Sequence, residues 1–420
     1  MAAQPGFGGR RFVQNLATLA IGEGLTRLFT LIAYVHLARS LAPEAYGHLE
    51  LTLAILMFAT VVVDQGLPAI GTRELAKNPA EARKWIESIV PAQLFMAMIV
   101  SLAITLVARF LPGPLPFLLA VYSLTLVSLP FVLGWAFQGL GRMLFVTGPQ
   151  ALRQGLFLAG ALLFVSHPED VRRVAVVELA SASMTALVSF ALYQSLGHGF
   201  SLRRTIDRTL LREARPVAVS LFVWSARMYL PVVALGSLVN ASDLGQFGVS
   251  HRTLMVVLTL MGVYFTNLLP TLSAESSDPK NLTRSLVWSA SLIAALALLL
   301  AVGVARFSAE LCALLYGEVY ARGTARSILA TLIWAVPILA LRRHANTAAI
   351  VLGTQRADMA ASLFGAFVTI VSFVPFVSTF GPIGAAYAMV LGEAIGAGAA
   401  IVFASRALGS RLRHSSLRSS

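Results

Sequence analysis

About a dozen apolar stretches, each roughly 20 residues long, fill most of this 420-residue chain, and most of its charges fall between them. At a helical rise of about 1.5 Å per residue, one such stretch matches the roughly 30 Å of hydrocarbon in a bilayer. The chain is therefore predicted to be an all-α polytopic membrane protein. A large soluble helical core is excluded because stretches such as 285–304 offer no polar face to water. Only 12% of the residues are charged, whereas a soluble domain uses about 25% to solvate its surface.

The expected spans are 16–38, 48–68, 86–108, 116–138, 144–165, 174–195, 216–239, 249–271, 285–305, 326–350, 359–379 and 383–404. The first follows Arg10 and Arg11 and is too long for a cleavable signal, so it is read as a retained helix. An even number of spans puts both termini on one side. The connections are mostly short and leave no room for a soluble catalytic domain. A net charge of +13 would suggest nucleic acid in a soluble protein, but here the placement of Lys and Arg is more informative than their sum. Alternate connections hold twenty-one and seven of them, and the richer set includes both ends, so both termini are expected to be cytoplasmic.

Asn78, Pro79 and Glu81 supply a helix cap, a first-turn proline and a capping-box acid ahead of Trp85. Asp278 and Pro279 repeat the first two ahead of Trp288. Arg27 is echoed by Arg227, Pro68 by Pro270, and Gly47 with Leu49 by Gly245 with Phe247, all at offsets of 198 to 202 residues. These matches predict an N-terminal lobe of helices 1–6 over residues 1–205 and a C-terminal lobe of helices 7–12 over 206–420. Because six is even, the lobes would share one orientation about an axis along the membrane normal, an arrangement suited to alternating access.

Charges inside the apolar stretches need explaining, since each costs at least about 2.5–3.5 kcal/mol in hydrocarbon unless it finds a partner or a watery cavity. Glu23 and Arg27 are four apart on one helical face, as either a structural charge pair or a cavity-lining pair. Arg227 lies four residues before Pro231 with no acid near it on its own helix, which predicts either a cavity-facing cation or a salt bridge to another helix. Arg252 either joins that cavity or reaches the outer headgroups. Asp64 and Glu178 are candidate ion-coupling or charge-pair residues. Arg342, Arg343, His344 and Asn346 follow Pro337 and are candidates for the inner half of the cavity, and Glu393 stands among Gly392, Gly396 and Gly398. The set Arg27, Arg227 and Arg252 is basic, and a guanidinium matches phosphate oxygens bidentately at any physiological pH, so an anionic substrate such as a lipid diphosphate is expected.

Motifs for bond-breaking chemistry do not occur. The sequence holds no HExxH, Walker A, CxxC or GxSxG, so neither an enzyme nor a pump driven by its own ATP hydrolysis is expected. Its one cysteine, Cys312, allows no internal disulfide. No metal or other cofactor is expected beyond a coupling proton or Na+, which the sequence leaves open.

Several segments carry a family resemblance. LARSLAPEAYGHLELTLAI at 37–55, GLPAIGTRELAKNP at 66–79, GWAFQGLGRMLFV at 134–146, LLYGEVY at 314–320 and GPIGAAYAMVLGE at 381–393 resemble, in order and placement, those of the oligosaccharide (polysaccharide-unit) flippases. These form a branch of the multidrug/oligosaccharidyl-lipid/polysaccharide exporter superfamily. The resemblance implies a MATE-like fold of two six-helix lobes in the bacterial inner membrane, moving undecaprenyl-diphosphate-linked glycan from the cytoplasmic to the periplasmic leaflet. It implies membrane lipids, a polymerase and glycosyltransferases as partners and no nucleic acid. The positions of Arg27 and Arg227 resemble those where the family places cavity cations. An ion-coupled multidrug or cation antiporter of the same superfamily and a peptidoglycan lipid-precursor flippase are the alternatives.

Overall fold

A computed structural model describes residues 9–197, 199–201, 208–274, 279–352 and 355–418. Among the described residues the chain is helical throughout, with no strand. It divides into two compact units, Met1–Val233 and Ala234–Ser420.

The first unit begins with α1 (Gly9–Asp64), which covers two of the expected spans. It is broken at Ala42 (φ 58°, ψ 168°), just before Pro43, so two helices meet there rather than one running through. Then follow α2 (Leu67–Lys77), α3 (Ala82–Ala108) and α4 (Leu115–Ser128). A short turn at Leu129–Phe131 leads into α5 (Gly134–Gly139), so the expected span 116–138 is interrupted near Pro130. The interruption is satisfied by a neighbour: the Leu133 N–H donates to Ser189 Oγ at 2.9 Å. That serine belongs to α7 (Val171–Ser195), which follows α6 (Met143–Phe164).

Polar ties and ring contacts hold these helices in register. His36 Nε2 on α1 lies 2.9 Å from the Val165 carbonyl at the end of α6, and Tyr34 packs against Phe157 with ring centroids 5.8 Å apart. Ser101 on α3 donates to Ser123 on α4 at 2.9 Å. Thr72 on α2 donates to the Trp135 carbonyl on α5 at 3.0 Å. Trp85 and Trp135 pack against buried clusters around Ala82, Ile86, Phe137 and Ile70, whereas Trp288 is exposed. Asn78 does not cap with its side chain; its Nδ2 donates to Glu81 Oε1 at 3.3 Å. The counterpart expected at Asp278 and the side chains of Pro270 and Pro279 lie outside the described residues.

The last helix to join this unit is α8 (Arg208–Leu238). Its first turns pack on α2 and α3, where Leu210 and Ala214 are buried with Leu67, Ile70 and Ile89. The unit thus extends through most of α8.

The second unit contains α9 (Ala241–Ala274), α10 (Pro279–Arg306), α11 (Ser308–Tyr316), α12 (Glu318–Arg322), α13 (Ala325–Leu332), α14 (Ala335–Leu352), α15 (Gln355–Phe380) and α16 (Pro382–Arg418). The span expected at 326–350 is two helices because Pro337 has no N–H for the Ile333 carbonyl, which instead accepts from Val336 at 2.9 Å. Gln246 and Ser250 on α9 close around the Ala325 backbone, at 3.1 and 2.9 Å. Between α15 and α16 a Cβ added at Gly365 would fall 2.6 Å from the Gly392 carbonyl oxygen, so these helices touch backbone to backbone.

Nine helices among the described residues are long and apolar enough to cross a membrane, against the twelve expected. Ile21–Asp64 is one of the nine, and at 44 residues it is about 66 Å of helix, twice a bilayer's hydrocarbon. α6, interrupted by Pro149 and Arg153, and α9 are not among them.

Candidate functional site

The expected cations sit on three helices. Arg27, on α1, is exposed over 54% of its side chain although it lies within a membrane-length apolar helix. Its Nη2 donates to Glu23 Oε1 at 2.5 Å in the acid-first i,i+4 arrangement that a helix favours. Glu23 is equally open, at 59%. An exposed charge pair on such a helix requires water, headgroups or a ligand at its side. Arg227 is half-buried on α8, one turn before Pro231, and belongs to the first unit with Arg27. Arg252 is half-buried near the start of α9, in the second unit.

Glu178 is held by a cross-helix partner. Arg153 Nη2 on α6 donates to Glu178 Oε1 on α7, and both side chains are largely covered. The two stand 25 residues apart on the strands of a helical hairpin, so neither spacing nor periodicity along one helix reveals the pair. Of the two roles read for Glu178, ion coupling and charge pairing, this is the geometry of the second. Asp64, at the end of α1, has no ion-pair partner among the described residues, and its Oδ1 is shut off from solvent without a hydrogen bond.

The four residues expected to line the inner cavity separate into two faces of α14. Arg342 and His344 are buried. Arg342 Nη1 donates to Glu393 Oε2 on α16 at 2.5 Å and its Nη2 to Ser362 Oγ on α15 at 2.7 Å. His344 Nε2 lies 2.8 Å from Ser289 Oγ on α10. These two side chains tie α10, α14, α15 and α16 together. Arg343 and Asn346 are exposed, and the Arg343 guanidinium lies 5.4 Å from the Phe265 ring centroid on α9. Ser362, Ser289 and Phe265 were not foreseen, because single hydroxyls and rings carry no mark of their partners in sequence.

Outside the spans a charged clasp joins α2 to α8. Arg73 bridges Glu74 at 2.7 Å and Glu213 of α8 at 3.1 Å, and Lys77 donates to Glu74 at 2.9 Å. Hydrogen bonds from Lys77 and then Arg73 hold the Glu74 carboxyl below its ordinary value. Among the described residues no cluster of three or more His, Cys, Asp or Glu side chains is placed to hold a metal.

Comparison with known proteins bears on what this arrangement serves. The family model described as polysaccharide biosynthesis protein matches residues 12–276. A curated candidate O-antigen transporter of Escherichia coli (strain K12) is 22% identical over 252 residues, which is 57% of this chain and 59% of that protein. The match thus spans under two thirds of the relative's length. Among solved structures, the inward-facing form of a multidrug resistance MATE family transporter of the MOP superfamily aligns with a TM-score of 0.75 at 15% identity, covering 94% of this chain and 98% of that one. The lipid II flippase MurJ in an inward closed conformation aligns with a TM-score of 0.76 at 12% identity, covering 91% and 86%. The fold is MATE-like, as expected.

Proposed function

The chain belongs to the polysaccharide biosynthesis protein family, and from that premise we propose that it flips a polyprenyl-diphosphate-linked oligosaccharide from the cytoplasmic to the periplasmic leaflet of a bacterial inner membrane. The observation that carries the reading is Arg27, a guanidinium exposed beside Glu23 on an apolar membrane-length helix, where a lipid-facing charge would be costly. A diphosphate accepts bidentate hydrogen bonds from such a group, and Arg227 and Arg252 would add to its hold. The polyprenyl tail stays in hydrocarbon. That division avoids both the cost of taking a charged headgroup through lipid and that of taking an isoprenoid into water.

The topology that fits this role has twelve spans in two six-helix lobes, 1–205 and 206–420, with both termini cytoplasmic. The break at Ala42 supports counting α1 as two spans, and α6 and α9 supply the other two beyond the nine. A polymerase and glycosyltransferases of the same pathway are the partners this reading implies, and the coupling ion is a proton or Na+.

The test is flipping of a defined lipid-linked oligosaccharide in proteoliposomes. Arg27→Ala and Arg227→Ala are each expected to slow it by about tenfold or more, the loss of one charge-assisted hydrogen-bonding group. Undiminished flipping in both variants at matched protein levels overturns the arginine assignment. Transport of a cationic dye under an ion gradient, without glycolipid flipping, points to the antiporter alternative. Rescue of cells depleted of their own peptidoglycan-precursor flippase points to the other.

A further inference from the structure

Asp64 ends α1 at a strained turn. Gln65, which has a side chain, takes φ 53°, and Gly66 takes φ 71°. The turn lies directly on α8: a Cβ added at Gly66 would fall 2.8 Å from the Ala218 nitrogen and 3.0 Å from the Ala214 oxygen. Two turns earlier on α1, Phe58 meets Phe222 of α8 edge to face at 5.3 Å, so the end of α1 runs along this helix. The carboxylate beside the turn faces the Gly66 N–H, and its Oδ1 is inaccessible and unpartnered among the described residues.

The neighbouring charges are engaged elsewhere or face outward. On α2, Arg73, Glu74 and Lys77 bond one another and Glu213. On α3 and just before it, Arg83 pairs with Glu87 and Lys84 with Glu81. On α8, Arg212 and Arg215 are exposed. A buried carboxylate oxygen without a partner is costly, and no cation among the described residues bonds this one. A single carboxylate can neutralise one positive charge, and no acidic cluster among the described residues supplies the charge that a divalent ion would call for.

We propose that Asp64 binds a small monovalent cation, a proton or Na+, and that its occupancy locks the α1–α2 turn against α8. This deepens the transport reading and rests on it for its purpose, since the bound cation would be the coupling ion. With the site filled, the neutralised carboxyl stays buried and the strained turn keeps its seat on α8. With the site empty, the bare carboxylate draws water in and the turn lifts.

The experiment is hydrogen exchange on the full-length protein in nanodiscs, read on segments 61–72 and 210–222, with no glycolipid present. One arm compares acidic with alkaline pH in sodium-free choline buffer; the other adds NaCl at alkaline pH. Protection factors, which remove the intrinsic pH dependence of amide exchange, are expected to rise by about tenfold when the site fills. A rise in the first arm only identifies the proton, and a rise in the second identifies Na+. Asp64→Asn is expected to be protected in every buffer, and Asp64→Glu to respond with a shifted midpoint, while Glu318→Gln, on α12 of the second unit, behaves as wild type. No response of the wild type in either arm overturns the proposal, as does an Asp64→Asn or Asp64→Glu variant that responds unchanged. A protein that shows the response but flips no glycolipid would retain the cation site and lose the transport reading.

Discussion

Arg342 on α14 and Glu393 on α16 form a buried ion pair, 2.5 Å from Nη1 to Oε2, with only 7% and 12% of the two side chains exposed. Ser362 accepts a second bond from the same guanidinium at 2.7 Å, so the charge is both paired and hydrogen-bonded. Breaking such a pair leaves one charge stranded. Glu393→Ala is expected to destabilise the protein by about 3–5 kcal/mol, and the double change Arg342→Met with Glu393→Leu by far less. Unfolding in detergent of the two variants checks this; equal losses would show that the pair itself is the stabilising element.

The Arg153–Glu178 pair leads to a different expectation, about function. If Glu178 serves only to neutralise Arg153, Glu178→Gln lowers stability yet retains the wild-type ion dependence of glycolipid flipping at matched protein levels. Flux measured across a range of pH and Na+ decides it. A flattened dependence in this variant would return Glu178 to the coupling role.

Acid should weaken the charge network along α2. The folded-state carboxyl of Glu74 is held below its ordinary value by Lys77 and Arg73, so its contribution is complete above the unfolded value and disappears as pH falls through the folded one. Comparing the midpoints of wild type and Glu74→Gln across acidic pH should show a gap that closes on acidification. The gap is expected to be small, because exposed ion pairs are screened by solvent.

Gly66 and Gly392 should be intolerant of side chains for separate reasons. Gly66→Ala would force φ 71° on a residue with a Cβ and press it against the α8 backbone. Gly392→Leu would drive α16 away from Thr369 and Gly365 of α15. Each is expected to cost about 1–3 kcal/mol or more, as overpacking does, whereas Gly398→Ala, mid-helix and facing open space, is expected to stabilise by up to about 1 kcal/mol. Melting temperatures of the three variants test the ranking.

Much of the architecture was legible along the chain because lipid imposes it locally. Helix existence follows from twenty-residue apolar runs, and positions such as Pro43 and Pro337 carry their own warning of a break. The interruption near Pro130 was less legible, since it depends on Ser189 from another helix to satisfy the freed backbone. Arg27 and Glu23 could be paired from sequence because four residues is one helical turn. Arg153 and Glu178, Arg342 and Glu393, and Arg73 and Glu213 could not, because their partners are set by which helices pack together.

By itself the sequence determined that this is a multi-pass helical membrane protein of the polysaccharide biosynthesis family, because hydrophobic length, charge placement and motif order are properties of a line of residues. Only the tertiary structure decided which intramembrane charges are spoken for. It sorted Arg342, Glu393 and Glu178 into cross-helix pairs, left the Arg27–Glu23 pair exposed, and set Asp64 beside α8 with a buried oxygen unmet among the described residues. The physical reason is that a charge inside a membrane protein is defined by what stands next to it across helices, and that distance is fixed by packing rather than by position in the chain.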